Sequence, residues 1–169
     1  MVETIQVKNP KSEAAPRRSF APGSNHQYDH EVLDVARVVR VVKGGRRFRF
    51  RASVVVGDRA GKIGFGTGKS RDVQEAIQKA QTQAEKHMVK ISLKGGTIPY
   101  EIRADFKGAS VLLRPARPGT GIIAGGVVRT VADLAGIQDL VSKAYGSSNK
   151  INNVMAVLKA FQSVKQAKQ

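Results

Sequence analysis

Seven cations, Arg37, Arg40, Lys43, Arg46, Arg47, Arg49 and Arg51, fall between residues 35 and 57 with no Asp or Glu among them. Side chains of this type at this density neutralise backbone phosphates and release condensed counterions, and no neighbouring carboxylate weakens their field. The run is centred on Val42-Lys43-Gly44-Gly45-Arg46-Arg47. Paired glycines there let a backbone pass close to phosphate where a Cβ would obstruct. The chemistry on offer is electrostatic capture of a nucleic acid. Charge runs are often only solvated faces, but soluble surfaces usually interleave signs, and this stretch carries one sign alone. Alanine at both Arg46 and Arg47 is expected to weaken RNA binding and to flatten its salt slope by up to ~2.

Other spacings invite a chemical reading and resist it. Gly64-Phe65-Gly66-Thr67-Gly68-Lys69-Ser70 ends like a phosphate-binding loop, but the position that needs the first glycine of a Walker loop holds Ile63. The glycines then read as a thin strand feeding a helix. Lys69 and Arg71, at that helix's start, can still meet a nucleic-acid phosphate. Gly119-Thr120-Gly121-Ile122-Ile123-Ala124 fits the relaxed dinucleotide pattern, yet it follows a proline-broken loop, and Asp139 matches the expected acid only weakly. Close backbone approach is the plainer reading. His26, Asp29, His30 and Glu31 are metal-ligating types in an unpatterned segment, and His87 sits near a helix end as a surface or dipole residue. No nucleophile triad or carboxylate pair emerges, so catalysis, metal, cofactor and small-molecule substrate are not expected.

These groups need a scaffold, and the rest of the chain supplies one. The 169 residues carry 29 Lys and Arg against 13 Asp and Glu, net charge +16, while 41% are hydrophobic. That is a folded core under a basic surface rather than a disordered polycation. With 5% aromatics and no Trp, backbone and shape contacts to structured RNA are expected over base stacking. The absence of Cys removes disulfides and thiolate sites and fits a reducing compartment. No run reaches membrane-spanning length, so no membrane partner is expected.

Residues 1–30 mix Pro, Gly and isolated charges without a period and read as a flexible arm. From 31 to 95 the pattern predicts a three-stranded antiparallel sheet and a helix. A valine-rich strand comes first, then Phe48, Phe50, Ala52 and Val54 alternating with Arg47, Arg49, Arg51 and Ser53, then a glycine strand to 68. The helix, capped by Ser70 or Asp72, runs to about 89 on a stripe of Val73, Ile77, Ala80, Ala84 and Met88. A second α+β unit, 96–164, is predicted from strands 98–106 and 110–114, a helix 127–135 and an extended piece 137–141. A helix 150–164 follows, capped by Asn149, with Ile151, Val154, Met155, Leu158 and Phe161 inward. Two units this small are expected to lean on each other. Residues 165–169 form a basic tail, and Lys143, Lys150, Lys159, Lys165 and Lys168 read equally as a solvated face or as further RNA contacts.

Taken in order, several blocks resemble one family, the bacterial-type small-subunit ribosomal protein S5. They are Arg37-Val38 with Val42-Lys43-Gly44-Gly45-Arg46-Arg47-Phe48, Val55-Val56-Gly57-Asp58, Gly64-Phe65-Gly66-Thr67-Gly68-Lys69, Lys94-Gly95-Gly96-Thr97-Ile98-Pro99, Gly119-Thr120-Gly121-Ile122-Ile123-Ala124-Gly125-Gly126 and Tyr145-Gly146-Ser147-Ser148-Asn149. The resemblance implies an α+β protein: a domain similar to a double-stranded-RNA-binding fold, then a ribosomal S5 domain-2-like α/β sandwich. It implies a non-catalytic constituent of the cytoplasmic small ribosomal subunit that binds ribosomal RNA. Such a protein joins head to body beside ribosomal proteins S4 and S8, near the mRNA entry path, and affects translational accuracy. Lys43, Gly44, Gly45, Arg46 and Arg47 match the family's RNA-probing hairpin loop. Arg114, Arg117, Gly119, Thr120 and Gly121 fall in the block facing S4. Ala36, Arg59 and Lys150 depart from the family's usual Asn, Gly and Pro. A free-standing double-stranded-RNA binder or RNA chaperone is the alternative; it explains the charge but not the second unit.

Overall fold

In the computed structural model, which describes residues 28–166, the valine-rich run forms β1 (Asp29–Val42). It turns through Lys43-Gly44 into β2 (Gly45–Gly57), which pairs on its other edge with β3 (Lys62–Ser70). Residues 1–27 of the expected arm lie outside the described residues. Tyr28 already packs against the first unit's core, and Asp29 and His30 belong to β1. A two-residue strand, β4 (Val89–Lys90), adds to the three expected, because Val89 pairs with Ile63.

Between β3 and β4 runs α1 (Val73–Lys86), closed at His87, whose Nδ1 donates to the Gln83 carbonyl at 2.9 Å. Its buried residues are Ala76, Ala80, Gln81 and Ala84, a correction to the expected stripe of larger side chains. The cause is β3. A Cβ on Gly64, Gly66 or Gly68 would stand 2.3, 2.1 or 2.1 Å from the carbonyl oxygens of Ala84, Ala80 and Ala76. Alternate glycines on the strand and alanines every fourth residue on the helix therefore bring the two backbones into contact. Val73 and Ile77 remain on the flank, half-buried.

The second unit is a sheet in the order β5-β6-β8-β7. β5 (Ile102–Phe106) and β6 (Ala109–Pro115) form a hairpin, β6 pairs antiparallel with β8 (Leu140–Gly146), and β7 (Ile122–Ile123) pairs parallel with the start of β8. The parallel pair is joined by α2 (Gly126–Leu134), as a parallel connection requires. The strand expected from 98 begins only at Ile102, since Lys94 and Thr97 close a turn and Pro99 has no N–H for a ladder. α3 (Lys150–Gln166) starts where Asn149 Oδ1 accepts from the Ile151 N–H at 3.0 Å. It is buried more widely than predicted: Ala156, Val157, Ala160 and Val164 join Val154, Leu158 and Phe161 in the core. Only the backbone end of α3 represents the expected tail 165–169 among the described residues.

The two units share one core. Val55, Ile63 and Ile91 of the first cluster with Val128, Val131, Leu140, Val157 and Phe161 of the second. β2 is therefore covered on both faces at its base: Ala52, Val54 and Val56 meet α1, while Val55 meets the second unit. At the seam, the Arg59 and Gly61 N–H groups donate to the Leu134 and Ala135 carbonyls, each at 3.0 Å. Carbonyls at the end of α2, which an isolated helix leaves unpaired, are thus capped by a turn of the other unit.

Candidate nucleic-acid interface

The pairing between β2 and β3 stops at Phe50 and Ser70, while β1 and β2 continue to the Val42–Gly45 pair. Residues 38–49 consequently project as a two-stranded ribbon with no third strand beside it. Directly paired residues share a face, so the register sorts the cations. One face carries Arg40 opposite Arg47, Val38 opposite Arg49, and Ala36 opposite Arg51, with Lys69 of β3 beside Arg51. The other carries Val41 opposite Arg46, Val39 opposite Phe48, and Arg37 opposite Phe50. Arg46 and Arg47, paired in the sequence reading, therefore point to opposite sides.

On the first face the ribbon is concave. A groove of about 410 Å³ is lined by residues that include Val38, Arg40, Val42, Arg47, Arg49 and Lys69. No carboxylate lines it. The ion pairs shown among the described residues are Arg59–Asp29, Lys79–Glu75, Arg114–Glu101 and Lys150–Asp34, none drawn from the hairpin cations. Asp34, the acid nearest the ribbon in sequence, is held by Lys150 Nζ at 2.8 Å. Arg51, the innermost cation, has its Nε buried without a hydrogen bond. Phosphates entering the groove would meet guanidinium and ammonium groups whose charge no neighbour has neutralised. The alternation expected to bury one face of β2 fails at the ribbon: Phe48 is 44% exposed, because neither α1 nor the second unit reaches that far.

Lys43 and Gly44 form the exposed turn, and a Cβ on Gly44 or Gly45 would meet nothing within 4 Å. Lys69 joins the groove, whereas Arg71 lies past the strand end and acts on Glu75. Glu75 receives Lys79 Nζ at 2.6 Å and the Ser70 hydroxyl, which together hold its carboxyl below the ordinary value. A carboxylate thus occupies the first turn of α1, and Gly64, Gly66 and Gly68 are spent on helix packing, so this segment is not shaped to wrap a nucleotide.

Arg114 is clamped by Glu101, Nε to Oε2 at 2.7 Å and Nη2 to Oε1 at 3.3 Å. Arg117, Gly119 and Thr120 are exposed on the loop after β6, and Gly121 donates its N–H to Asp139 Oδ1 at 2.7 Å. Asp139, the acid of the dinucleotide pattern, is thereby used from just before β8 to tie down the loop before β7. Of the metal-ligating types, Asp29 pairs with Arg59, Glu31 Oε1 accepts from Thr130 Oγ1 at 3.4 Å, and His26 lies outside the described residues. Lys150 and Lys159 hold elements together, the latter donating to the Asp105 carbonyl at 3.1 Å; the side chains of Lys165 and Lys168 lie outside the described residues. The strand period in the sequence put Arg47, Arg49 and Arg51 on one face, as the register has them, but sequence reasoning missed that Arg37 and Arg46 stand on the other, although the same period carries that signal.

Family comparison covers both units. Residues 28–92 match the family model described as ribosomal protein S5, N-terminal domain, and residues 104–169 match that described as ribosomal protein S5, C-terminal domain.

Proposed function

Since the chain belongs to the ribosomal protein S5 family, structural and non-enzymatic constituents of the cytoplasmic small ribosomal subunit that bind ribosomal RNA, we propose that the β1–β2 ribbon is its principal RNA anchor. The observation that carries this reading is the groove of Arg40, Arg47, Arg49 and Lys69, free of carboxylate and of internal ion pairs. Arg51 at its base and Lys43 at its tip extend the cationic track. Gly44 and Gly45 let that tip approach RNA closely. Arg46 and Arg71 take phosphates outside the groove, and Arg37 meets the RNA from the opposite face of the ribbon.

In the finer reading, the fused core makes the protein a rigid strut between the head and body of the subunit, close to the mRNA entry path, and so a contributor to translational accuracy. The loop bearing Arg117, Gly119, Thr120 and Gly121, with Arg114 held in place by Glu101, is offered to S4, and S8 is a second protein neighbour. What supports the loop as a contact is its exposure and its anchorage at both ends, by the pairing of Pro115 with Leu140 on one side and by the Gly121–Asp139 hydrogen bond and β7 on the other.

Co-sedimentation with small subunits at moderate salt tests the proposal. The wild-type chain is expected to remain in the subunit pellet, and a variant with R47A and R49A to be partly released. A wild-type chain that binds duplex RNA but washes off subunits would point to a free-standing RNA binder instead.

A further inference from the structure

The ribbon face opposite the groove has a different chemistry. Val32, Val35, Val39, Val41 and Phe48 are the exposed large hydrophobics of β1 and β2, and the register places all of them on this one face. Arg37 Cζ lies 3.8 Å from the centroid of the Phe48 ring. A guanidinium at that distance is stacked on the ring rather than ion-paired, and it presents its own planar surface beside an aromatic edge. Arg46 shares this face, Lys43 stands at its tip, and no Asp or Glu of the ribbon faces it.

We propose that the Arg37–Phe48 pair is a stacking platform for one unpaired RNA base, with Arg46 and Lys43 taking the phosphates on either side. Every nucleobase has a π face, and single-stranded elements of folded RNA are held by stacking on aromatic rings and guanidinium planes. The inference rests on the groove reading: a strand lying in the cationic groove has only the thickness of one ribbon to pass before reaching Phe48. An apolar protein surface would suit the valines. It would also have to desolvate Arg37 and Arg46 on a face that offers them no carboxylate. The few aromatics of this chain are therefore better placed for base contact than composition alone predicts.

The test uses the full chain with a short single-stranded RNA carrying a fluorescent purine analogue, and with the same sequence fully paired. F48A is expected to bind the single strand roughly tenfold more weakly and to lose the quenching that stacking produces, with duplex affinity and salt slope kept. F48L, which retains apolar bulk without a π face, should behave like F48A, and F48Y like wild type. R47A with R49A should flatten the salt slope while quenching at saturation persists. Wild-type affinity and quenching in F48A would overturn the proposal, as would equal losses on single strand and duplex, or an RNA-binding F48L that alone fails to join small subunits. If the wild-type chain bound RNA without salt dependence, the groove reading itself would fall.

Discussion

At the scale of single residues, glycine positions divide into those that touch backbone and those that touch nothing. A Cβ at Gly66 would lie 2.1 Å from the Ala80 oxygen and 2.6 Å from the Ala84 nitrogen, both backbone atoms that cannot swing away. G66A is expected to cost about 2–3 kcal/mol in urea unfolding. G44A, in open space, should stay within about 0.5 kcal/mol of wild type. Glu75 makes a second, pH-dependent prediction. Its carboxyl is lowered chiefly by the hydrogen bond from Lys79 and then by that from Ser70. A carboxylate lowered on folding contributes fully above its unfolded pKa and loses that contribution as pH falls through the folded one. The stability gap between wild type and E75Q should therefore be present at neutral pH and close on acidification, as read from urea midpoints across that range. The glycine spacing was visible in the sequence, but the alanine carbonyls it meets were not, because periodicity identifies which residues turn inward and not how near the backbones come.

Elements were legible where one face is apolar and obscure where the fold changes what covers them. β8 was expected to end at 141 because Ser142, Lys143, Ala144 and Tyr145 carry little apolar signal. β7 covers only its first two residues, and the remainder is a free edge paired with β6 alone, where polar side chains are tolerated. Two departures from the family pattern also acquire roles at this scale. Arg59 occupies a left-handed turn at φ 53° and pairs with Asp29 at 3.0 Å, while Lys150, at the start of α3, reaches Asp34 and the Leu33 carbonyl of β1. The Arg59 turn caps α2 and presses on Gly136, whose φ is 79° and where a Cβ would lie 1.9 Å from the Arg59 oxygen. G136A should cost about 3 kcal/mol or more, beyond the ~1 kcal/mol of an ordinary helix-end glycine, because it also parts the two units. Urea unfolding of G136A, with R59A as the comparison, measures the difference.

For the whole molecule, the shared core means that neither unit has a complete interior of its own, so fluorescence-labelled sites in each should report one coincident urea transition. A first unit cut at residue 95 would expose the Val55 and Ile63 face and should not fold cooperatively. That rigidity supports the larger claim, since a ribbon anchored at its base by both units can enter folded RNA without collapsing. Charge and motif order made the ligand class readable from sequence; the division of the ribbon into a phosphate groove and a stacking face needed the register. The most direct test of the groove is the salt dependence of binding to a ribosomal RNA fragment, comparing wild type with R47A/R49A. Loss of two phosphate contacts predicts a slope shallower by about 1.5–2 in log–log form and weaker affinity at low salt. An unchanged slope would contradict the assignment of the groove to RNA.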